Sequence, residues 1–580
     1  MNSIQKKWIT PAKIPQSASE ALAAYPCLFR QILFNRGIRT PAQADEFLNA
    51  EQPHYPPETM LDMETAVQTI GRVMEEGGRI VVLGDYDVDG VTSTVLLVQL
   101  FQTYGADVHM YIPNRFEEGY GFSTDALNEV LALAPSLIIT VDCGVRSLRE
   151  VELASQHGIM TVITDHHQPL EKLPAAEAVI CPKRDGDCYP NKDLAGVGIA
   201  YKLAEALLKR YSMEGVTCER WLDLVALGTV ADLAPIIGEN RMMVRKGLQI
   251  MRQNPRPGIL ALANVSGVPV NELNSQHIGF MLGPRLNAAG RLSSAKKAFN
   301  LLMAEDTQTA GKLALELDTE NQNRRNITRQ IQKVVEENYD FTSGQWLIMY
   351  AREEFNEGVI GLAASKLAES YYRPSVIGVE KDQVIRASCR SIPELNITSA
   401  LDECMDLLVQ HGGHAMAAGL TVRKENLEAL KERLEGIAAR ELSSKELTPW
   451  LEAEMEIALN ELHPSLLKHL RELEPTGVGN PEPLFISRDV EIRQMRSVGR
   501  SNDHLKLSLS DAKDNPEHHA HAPVILDAIA FSFGGLGTQC RVGDRVDIVY
   551  SYETNSYAGR QYIQLNIRDM QLKRQPEISA

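Results

Sequence analysis

The apolar run Ile80-Val81-Val82-Leu83 ends at Gly84 and is followed at once by three carboxylates, Asp85, Asp87 and Asp89, closed by Gly90. A short apolar run bounded by glycine reads as a buried strand. Its tip therefore carries three negative charges on one turn, and these repel one another unless a cation lies between them. The same pattern, D-x-D-x-D-G, opens an EF-hand loop. That loop needs Glu at its twelfth position, where this chain has Leu96, and a helix rather than a strand in front of it. A turn of Asp and Gly that serves only solubility is the plainer alternative.

Two further apolar runs end in the same way. Leu137-Ile138-Ile139-Thr140-Val141 leads into Asp142-Cys143-Gly144, and Thr161-Val162-Ile163-Thr164 into Asp165-His166-His167. Between the runs, Val91 to Tyr104, Thr124 to Ala134 and Ser147 to His157 repeat apolar residues at helical spacing. This alternation predicts an α/β domain whose parallel sheet is covered by helices on both faces. Such sheets bind ligands beyond the carboxyl ends of their strands. One Asp at a strand tip is most simply a helix N-cap; three acidic tips, one with adjacent histidines, predict a shared metal-binding crevice.

Asp165-His166-His167 resembles the motif that gives the DHH phosphoesterase family its name, and DYDVDG (Asp85 to Gly90) and VDCG (Val141 to Gly144) resemble that family's first two motifs. Leu227 to Asp232 resembles the fourth, and LGPRLNAAGR (Leu282 to Arg291) and GGHAMAAG (Gly412 to Gly419) resemble later ones. In order and spacing the six are similar to those of the RecJ branch, bacterial single-strand-specific exonucleases, over nearly the whole chain. The resemblance implies that Asp87, Asp89, Asp142, His166 and Asp232 are metal ligands, with Asp142 bridging two ions. It places His167 at the metal edge, as ligand or phosphate contact, and Asp85 and Asp165 behind the ligands; Asp85, Asp165 and His167 are the catalytic candidates. Mixed Asp and His donors without Cys suit Mn²⁺ or Mg²⁺, here two ions, better than a structural zinc. Such a pair lowers the pKa of a water and clamps a scissile phosphate.

Phosphates flanking the bond call for cations, and the planar fork of arginine suits them. Arg115, Arg285, Arg291 and Arg390 lie in segments rich in Gly, Ser, Asn or Pro, although for any single Arg a surface ion pair is the plainer reading. In the RecJ pattern Arg115, Ser388 and Arg390 correspond to a pocket for the terminal 5′ phosphate. GGHAMAAG reads as a Gly-rich turn, either one whose amides face an anion that His414 contacts or one that simply buries its His. One position departs from the pattern: RecJ proteins usually carry His where this chain has Asn356, so substrate handling in the second domain is expected to differ.

The activity implied is a metal-dependent 5′-to-3′ exonuclease that degrades single-stranded DNA to mononucleotides in repair and recombination. Its implied setting is the cytoplasm, with a RecQ-type helicase and a single-strand-binding protein as partners. Two alternatives stand beside it: a DHH phosphodiesterase for short oligonucleotides or nucleotides, and a RecJ-like replication scaffold without catalysis. Chain length and the tail argue against the first, and the full set of metal-type residues against the second.

At 580 residues several domains are expected. An N-terminal region extends to about residue 75, a DHH domain with a parallel sheet covers about 76–300, and a linking helix covers about 301–340. A second α/β domain, the DHH-associated domain, follows over about 341–445, and a connection with an OB-like β-barrel over about 446–580. In the barrel Tyr550, Tyr552, Tyr557 and Tyr562 are candidates to stack on bases, with strand packing the plainer reading. The formal charge of −17 belongs mainly to the part before Leu484, so a nucleic-acid surface would be a local basic stripe. Eight Cys without a C-x-x-C pair predict free thiols in a reducing compartment. No apolar run is long enough to span a membrane, and the first residues show no apolar signal core.

Overall fold

The computed structural model describes residues 5–49, 53–115, 118–119, 121–341, 344–499, 502–511, 524–557 and 560–573. The three apolar runs form β1 (Ile80–Gly84), β3 (Leu137–Val141) and β4 (Met160–Thr164). With β2 (Val108–Tyr111) and β5 (Ala178–Ile180) they make a five-stranded sheet of order β2-β1-β3-β4-β5, parallel throughout. Residues alternate between two cores: Ile80 and Val82 enter one hydrophobic cluster, Val81 and Leu83 the other. Burial on both faces explains why these strands read as unbroken apolar runs rather than alternating ones.

The register sets the positions of the acidic tips. Gly84 lies opposite Val141, and Val141 opposite Thr164, so three adjacent strands end level with one another. Strand order reverses between β1 and β3, which is the switch point where open α/β sheets bind ligands. The first helix, α1 (Val88–Thr103), starts inside the acidic motif rather than at Val91 as the periodicity predicts. The cause is Asp87, whose Oδ1 accepts the Asp89 and Gly90 amides at 2.8 and 3.1 Å and so caps the helix three residues earlier. α2 (Thr124–Leu131), α3 (Leu148–Gln156), α4 (Gly196–Arg210), α5 (Leu222–Ala231) and α6 (Gly283–Leu292) follow. The expected long helix is α7 (Thr307–Asn338).

The chain divides into two compact units. One comprises Asn49–Gln330 with Glu474–Pro481; the other comprises Met1–Leu48, Ile331–Leu473 and Glu482–Ala580. In the second unit, β6 (Ile348–Arg352), α8 (Ile360–Tyr371), β7 (Ser375–Lys381), β8 (Val384–Arg390), β9 (Leu408–His414), β10 (Ala417–Arg423) and α9 (Leu427–Leu442) form the second α/β domain. Its sheet is mixed, of order β9-β10-β8-β7-β6, and only the β6–β7 pair is parallel.

The tail forms β11 (Met455–Glu456), β12 (Leu484–Val498), β13 (His504–Asp511), β14 (Ile525–Ala530), β15 (Arg545–Tyr557) and β16 (Arg560–Leu572). The additional β12–β15 pairing closes this sheet into a barrel. Tyr550 and Tyr552 are buried in its core with Phe485 and Leu507, so they pack rather than stack on bases. Tyr562 is exposed, and the side chain of Tyr557 lies outside the described residues. The expected N-terminal region is split. Leu22, Phe29, Ile32 and Leu33 join the barrel core, whereas Met63, Val67 and Ile70 of helix Met63–Glu75 join the parallel-sheet core. Among the described residues no helix is long and apolar enough to cross a membrane.

Candidate metal centre and phosphate contacts

The level strand ends bring the acidic tips together. Three overlapping groups have ligand atoms within 4.8 Å of one another: Asp85 with Asp87 and Asp142, Asp142 with His166 and His167, and Asp89 with His166 and Asp232. Asp142 and His166 each belong to two groups, so the three groups form one continuous cluster. His166 Nε2 lies 3.0 Å from Asp142 Oδ1 and 4.0 Å from Asp89 Oδ2, while its Nδ1 lies 3.8 Å from Asp232 Oδ2. Asp232 enters from outside the sheet as the residue that closes α5. Asp85, expected behind the ligands, reaches the same group as Asp87 and Asp142.

The backbone is shaped to hold these carboxylates. Asp142 sits at φ 61°, a left-handed conformation that costs a non-glycine residue energy and turns its side chain at the strand end. Gly196 must lack a side chain, because a Cβ there would lie 2.7 Å from Asp142 Cβ. The amides of Gly196 and Val197, at the start of α4, donate to Asp89 Oδ2 and Oδ1 at 2.6 and 2.8 Å. They fix the Asp89 carboxylate with the positive end of a helix. The sequence offered only a weak sign of this contact, the glycines of Ala195-Gly196-Val197-Gly198 before a helix.

The electrostatics fit a cation site. Burial, followed by the charges of neighbouring carboxylates, pushes Asp85, Asp89 and Asp142 well above the usual carboxylate range. Asp232 is pushed to about 7 by burial and then by Asp87. Burial and the neighbouring His167 hold His166 down at about 3, leaving its nitrogens neutral and able to bind a metal. Asp85 Oδ1 and His166 Nε2 are buried without a hydrogen-bond partner. Desolvated oxygens and an unpartnered imidazole nitrogen are what a hard divalent ion would satisfy.

His167 differs from His166. Its Nδ1 lies 2.8 Å from Asp165 Oδ1, which also accepts the His167 amide at 3.0 Å, while Asp165 Oδ2 accepts the Val145 amide at 2.9 Å. Burial alone would depress the His167 pKa, but the bond to Asp165 outweighs it and raises the value. Burial would likewise raise Asp165, but the His167 bond and the two amides hold it below its ordinary value. The carboxylate thus braces the ring and favours its protonated form, and the ring lies against His166 at a centroid distance of 4.3 Å.

The arginines separate into two kinds. Arg285 is nearly buried, with Nε 2.8 Å from Asp318 Oδ1 and Nη1 donating to the Met281 carbonyl. Its guanidinium ties α6 to α7 through these two bonds. Arg115 instead lies over the Tyr86 ring at 5.1 Å. Arg291 is brought to the same tyrosine, because its neighbour Gly290 packs so closely that a Cβ would lie 2.6 Å from the Tyr86 carbonyl oxygen.

The second unit assembles its own candidate anion pocket. On β8, Arg390 Nη1 donates to Ser388 Oγ at 2.9 Å and to the Cys389 carbonyl at 2.8 Å. Gly361, in the first turn of α8, faces them: a Cβ there would lie 2.9 Å from Ser388 Oγ and 3.0 Å from Arg390 Nη2. A helix N-terminus, a hydroxyl and a guanidinium around a bare glycine suit a phosphate. GGHAMAAG is not the expected Gly-rich turn but a β-hairpin, whose ladder pairs Gly412 with Gly419 and His414 with Ala417. Because Ala417 pairs with Arg390, and Gly419 with Ser388, His414 shares a row with Arg390, and two glycines keep the row of Ser388 bare. Asn356 Oδ1 accepts the Gly358 amide at 2.9 Å and so shapes the turn leading into α8.

A parallel sheet with this Asp-His cluster at its switch point defines a DHH phosphoesterase, and residues 79–229 match the DHH family N-terminal domain. Residues 343–440 match the DHHA1 domain and residues 453–569 the RecJ OB domain. The chain is 35% identical over 579 residues to the single-stranded-DNA-specific exonuclease RecJ of Dickeya dadantii, covering 96% of this chain and 98% of that protein. It is 34% identical over 568 residues to RecJ of Escherichia coli, covering 94% and 96%. The crystal structure of RecJ with Mn²⁺ from Thermus thermophilus superposes with a TM-score of 0.81 at 27% identity, over 98% of this chain and 80% of that one. The chain belongs to the RecJ family.

Proposed function

We propose that this chain is a metal-dependent exonuclease that hydrolyses single-stranded DNA from its 5′ end to mononucleotides, in the cytoplasm and in the service of repair and recombination. The observation that carries the reading is the meeting of Asp87, Asp89, Asp142 and His166, beyond three level strand ends, with Asp232 from the end of α5, in a chain that matches single-strand exonucleases almost end to end. Those five residues would hold Mn²⁺ or Mg²⁺, with Asp142 shared and Asp85 adding a carboxylate. Ions bound there would supply Lewis acidity at the scissile phosphate and a hydroxide-strength nucleophile near neutral pH.

The other residues take up what the ions leave. Asp165 raises the His167 pKa and fixes the ring in direction, so that its other ring nitrogen, when protonated, can donate to a phosphate oxygen or give a proton to the departing 3′ oxygen. Arg115 and Arg291 meet phosphates beside the metal centre. Arg390 and Ser388, with His414 on the same row, receive the terminal 5′ phosphate and so set the direction of digestion. The barrel would hold the incoming strand, with Tyr562 the remaining exposed stacking candidate. A RecQ-type helicase and a single-strand-binding protein would present that strand.

Comparing a two-nucleotide with a twenty-nucleotide substrate tests the assignment. The long strand should be degraded with the higher kcat/KM. Equal or better turnover of the dinucleotide would favour a short-oligonucleotide phosphodiesterase, and no metal-dependent turnover of either would leave a scaffold.

A further inference from the structure

Resting on the exonuclease reading, we infer that Arg324, on the long helix α7, is a further DNA contact that receives a backbone phosphate next to the scissile one, with Asn321 as the residue that aims it. Asn321 is fully buried, and its Oδ1 accepts both Nε and Nη2 of Arg324 at 3.2 and 2.9 Å. One amide oxygen thereby holds two N–H groups on one edge of the guanidinium and leaves the remaining N–H groups for a ligand. The Nδ2 of Asn321 has no hydrogen-bond partner, an expensive arrangement for a residue whose only task is to decorate a helix.

Two contacts seat this part of α7 beside the metal centre. Asp318 binds Arg285 of α6 at 2.8 Å, and Ser293, just after α6, donates to Glu320 at 3.2 Å. α6 itself packs through Gly290 onto Tyr86, within the acidic motif, and Arg115 lies over that ring. Arg324 is the next turn along α7 on the same approach. Arg291 registers the crowding: burial first, then the guanidiniums of Arg115 and Arg324, lower it to about 10. Among the described residues neither Arg115 nor Arg324 forms an ion pair with a carboxylate. Guanidiniums gathered within reach of one another repel, and a polyanionic strand running past them would relieve this. Phosphates of single-stranded DNA recur at every nucleotide, so a cation displaced from the metals would meet the next one.

The test measures kcat/KM on a twenty-nucleotide single strand between 50 and 300 mM KCl for the wild type, Arg324→Gln, Arg324→Lys and Arg325→Gln. Bis(p-nitrophenyl) phosphate, which has no flanking phosphate, is run alongside. Losing one phosphate contact on a single strand makes the slope of log(kcat/KM) against log[salt] shallower by about 0.7. Arg324→Gln should show that change, and its loss of kcat/KM should be about tenfold greater on DNA than on the small diester. Arg324→Lys should recover the slope but only part of the rate, and Arg325→Gln, on the exposed side of the helix, should match the wild type. Equal losses on both substrates with an unchanged slope would overturn the inference and leave Arg324 a packing residue. If the wild type cleaves the small diester but no DNA, the exonuclease reading fails instead. The same slope is then read from DNA binding in EDTA, where an unchanged value for Arg324→Gln overturns the phosphate contact.

Discussion

Asp232→Asn should stabilise the metal-free protein at pH 8 and destabilise its complex with metal. The Asp232 carboxyl has an ordinary pKa of 3.8 and is pushed to about 7 by burial and then by Asp87. A folded-state pKa above the unfolded value means that the protonated group supports the fold below about pH 4, and that this support is lost as pH climbs to about 7. Three units correspond to roughly 4 kcal/mol. The side chain remains a quarter exposed, so about 2–4 kcal/mol is expected for it alone. Asp85, Asp89 and Asp142 act in the same direction. Urea unfolding in EDTA, read by hydrogen exchange of the peptide covering β3, should show the wild type losing stability from pH 5 to 8. The variant should lose about 1–2.5 kcal/mol less over that range. Saturating Mn²⁺ should reverse the order, because Asn cannot supply the charge that the ion meets. A wild-type stability that stays level from pH 5 to 8 in EDTA, or a variant less stable than wild type at pH 8, would refute the view that these carboxylates are held together for a cation.

Gly361→Ala would place a methyl group within 3.0 Å of Arg390 Nη2 and Ser388 Oγ; it should erase the preference for 5′-phosphorylated over 5′-hydroxyl substrates by about tenfold, measured as a ratio of kcat/KM. Asp165→Asn should lower kcat by about 100-fold with little change in KM, because His167 loses the carboxylate that raises its pKa, and the alkaline limb of the pH–rate profile should fall at lower pH in the variant than in the wild type. Tyr550→Phe removes the bond between its hydroxyl and Ser487 at 2.8 Å and should cost about 1 kcal/mol of barrel stability without altering DNA affinity. Tyr562→Ala should do the reverse, weakening DNA binding by about 1–3 kcal/mol while the melting temperature stays put.

The metal cluster was legible because each of its strands is buried on both faces and each ends in a charge. Ile80 to Asp85, Leu137 to Asp142 and Thr161 to Asp165 each pass abruptly from apolar residues to a carboxylate. Residues whose roles come from long-range packing were not legible. Gly196 and Val197 act through backbone amides that any residue but proline possesses. Asn321 and Arg324 sit in a polar helix whose charges look like a solvated face until Asp318 and Glu320 are seen to bind α6 and the segment after it. The partners of Arg285 and Tyr550 were not legible for a related reason. An arginine beside glycines and a tyrosine in an alternating strand carry no mark of which partner they face, and here the partners are Asp318 and the barrel core. The N-terminal segment gave no sign in sequence that its helices finish a core formed by the opposite end of the chain.

The central claim is that the Asp-His cluster hydrolyses single-stranded DNA from the 5′ end, and it is tested most directly by following release from strands labelled at either end, with Mn²⁺ or Mg²⁺ and with Asp142→Ala beside the wild type. The expected result is early loss of the 5′ label, late loss of the 3′ label, no digestion of blunt duplex, and no release by the variant. Release of the 3′ label first, or digestion that survives Asp142→Ala, would contradict it.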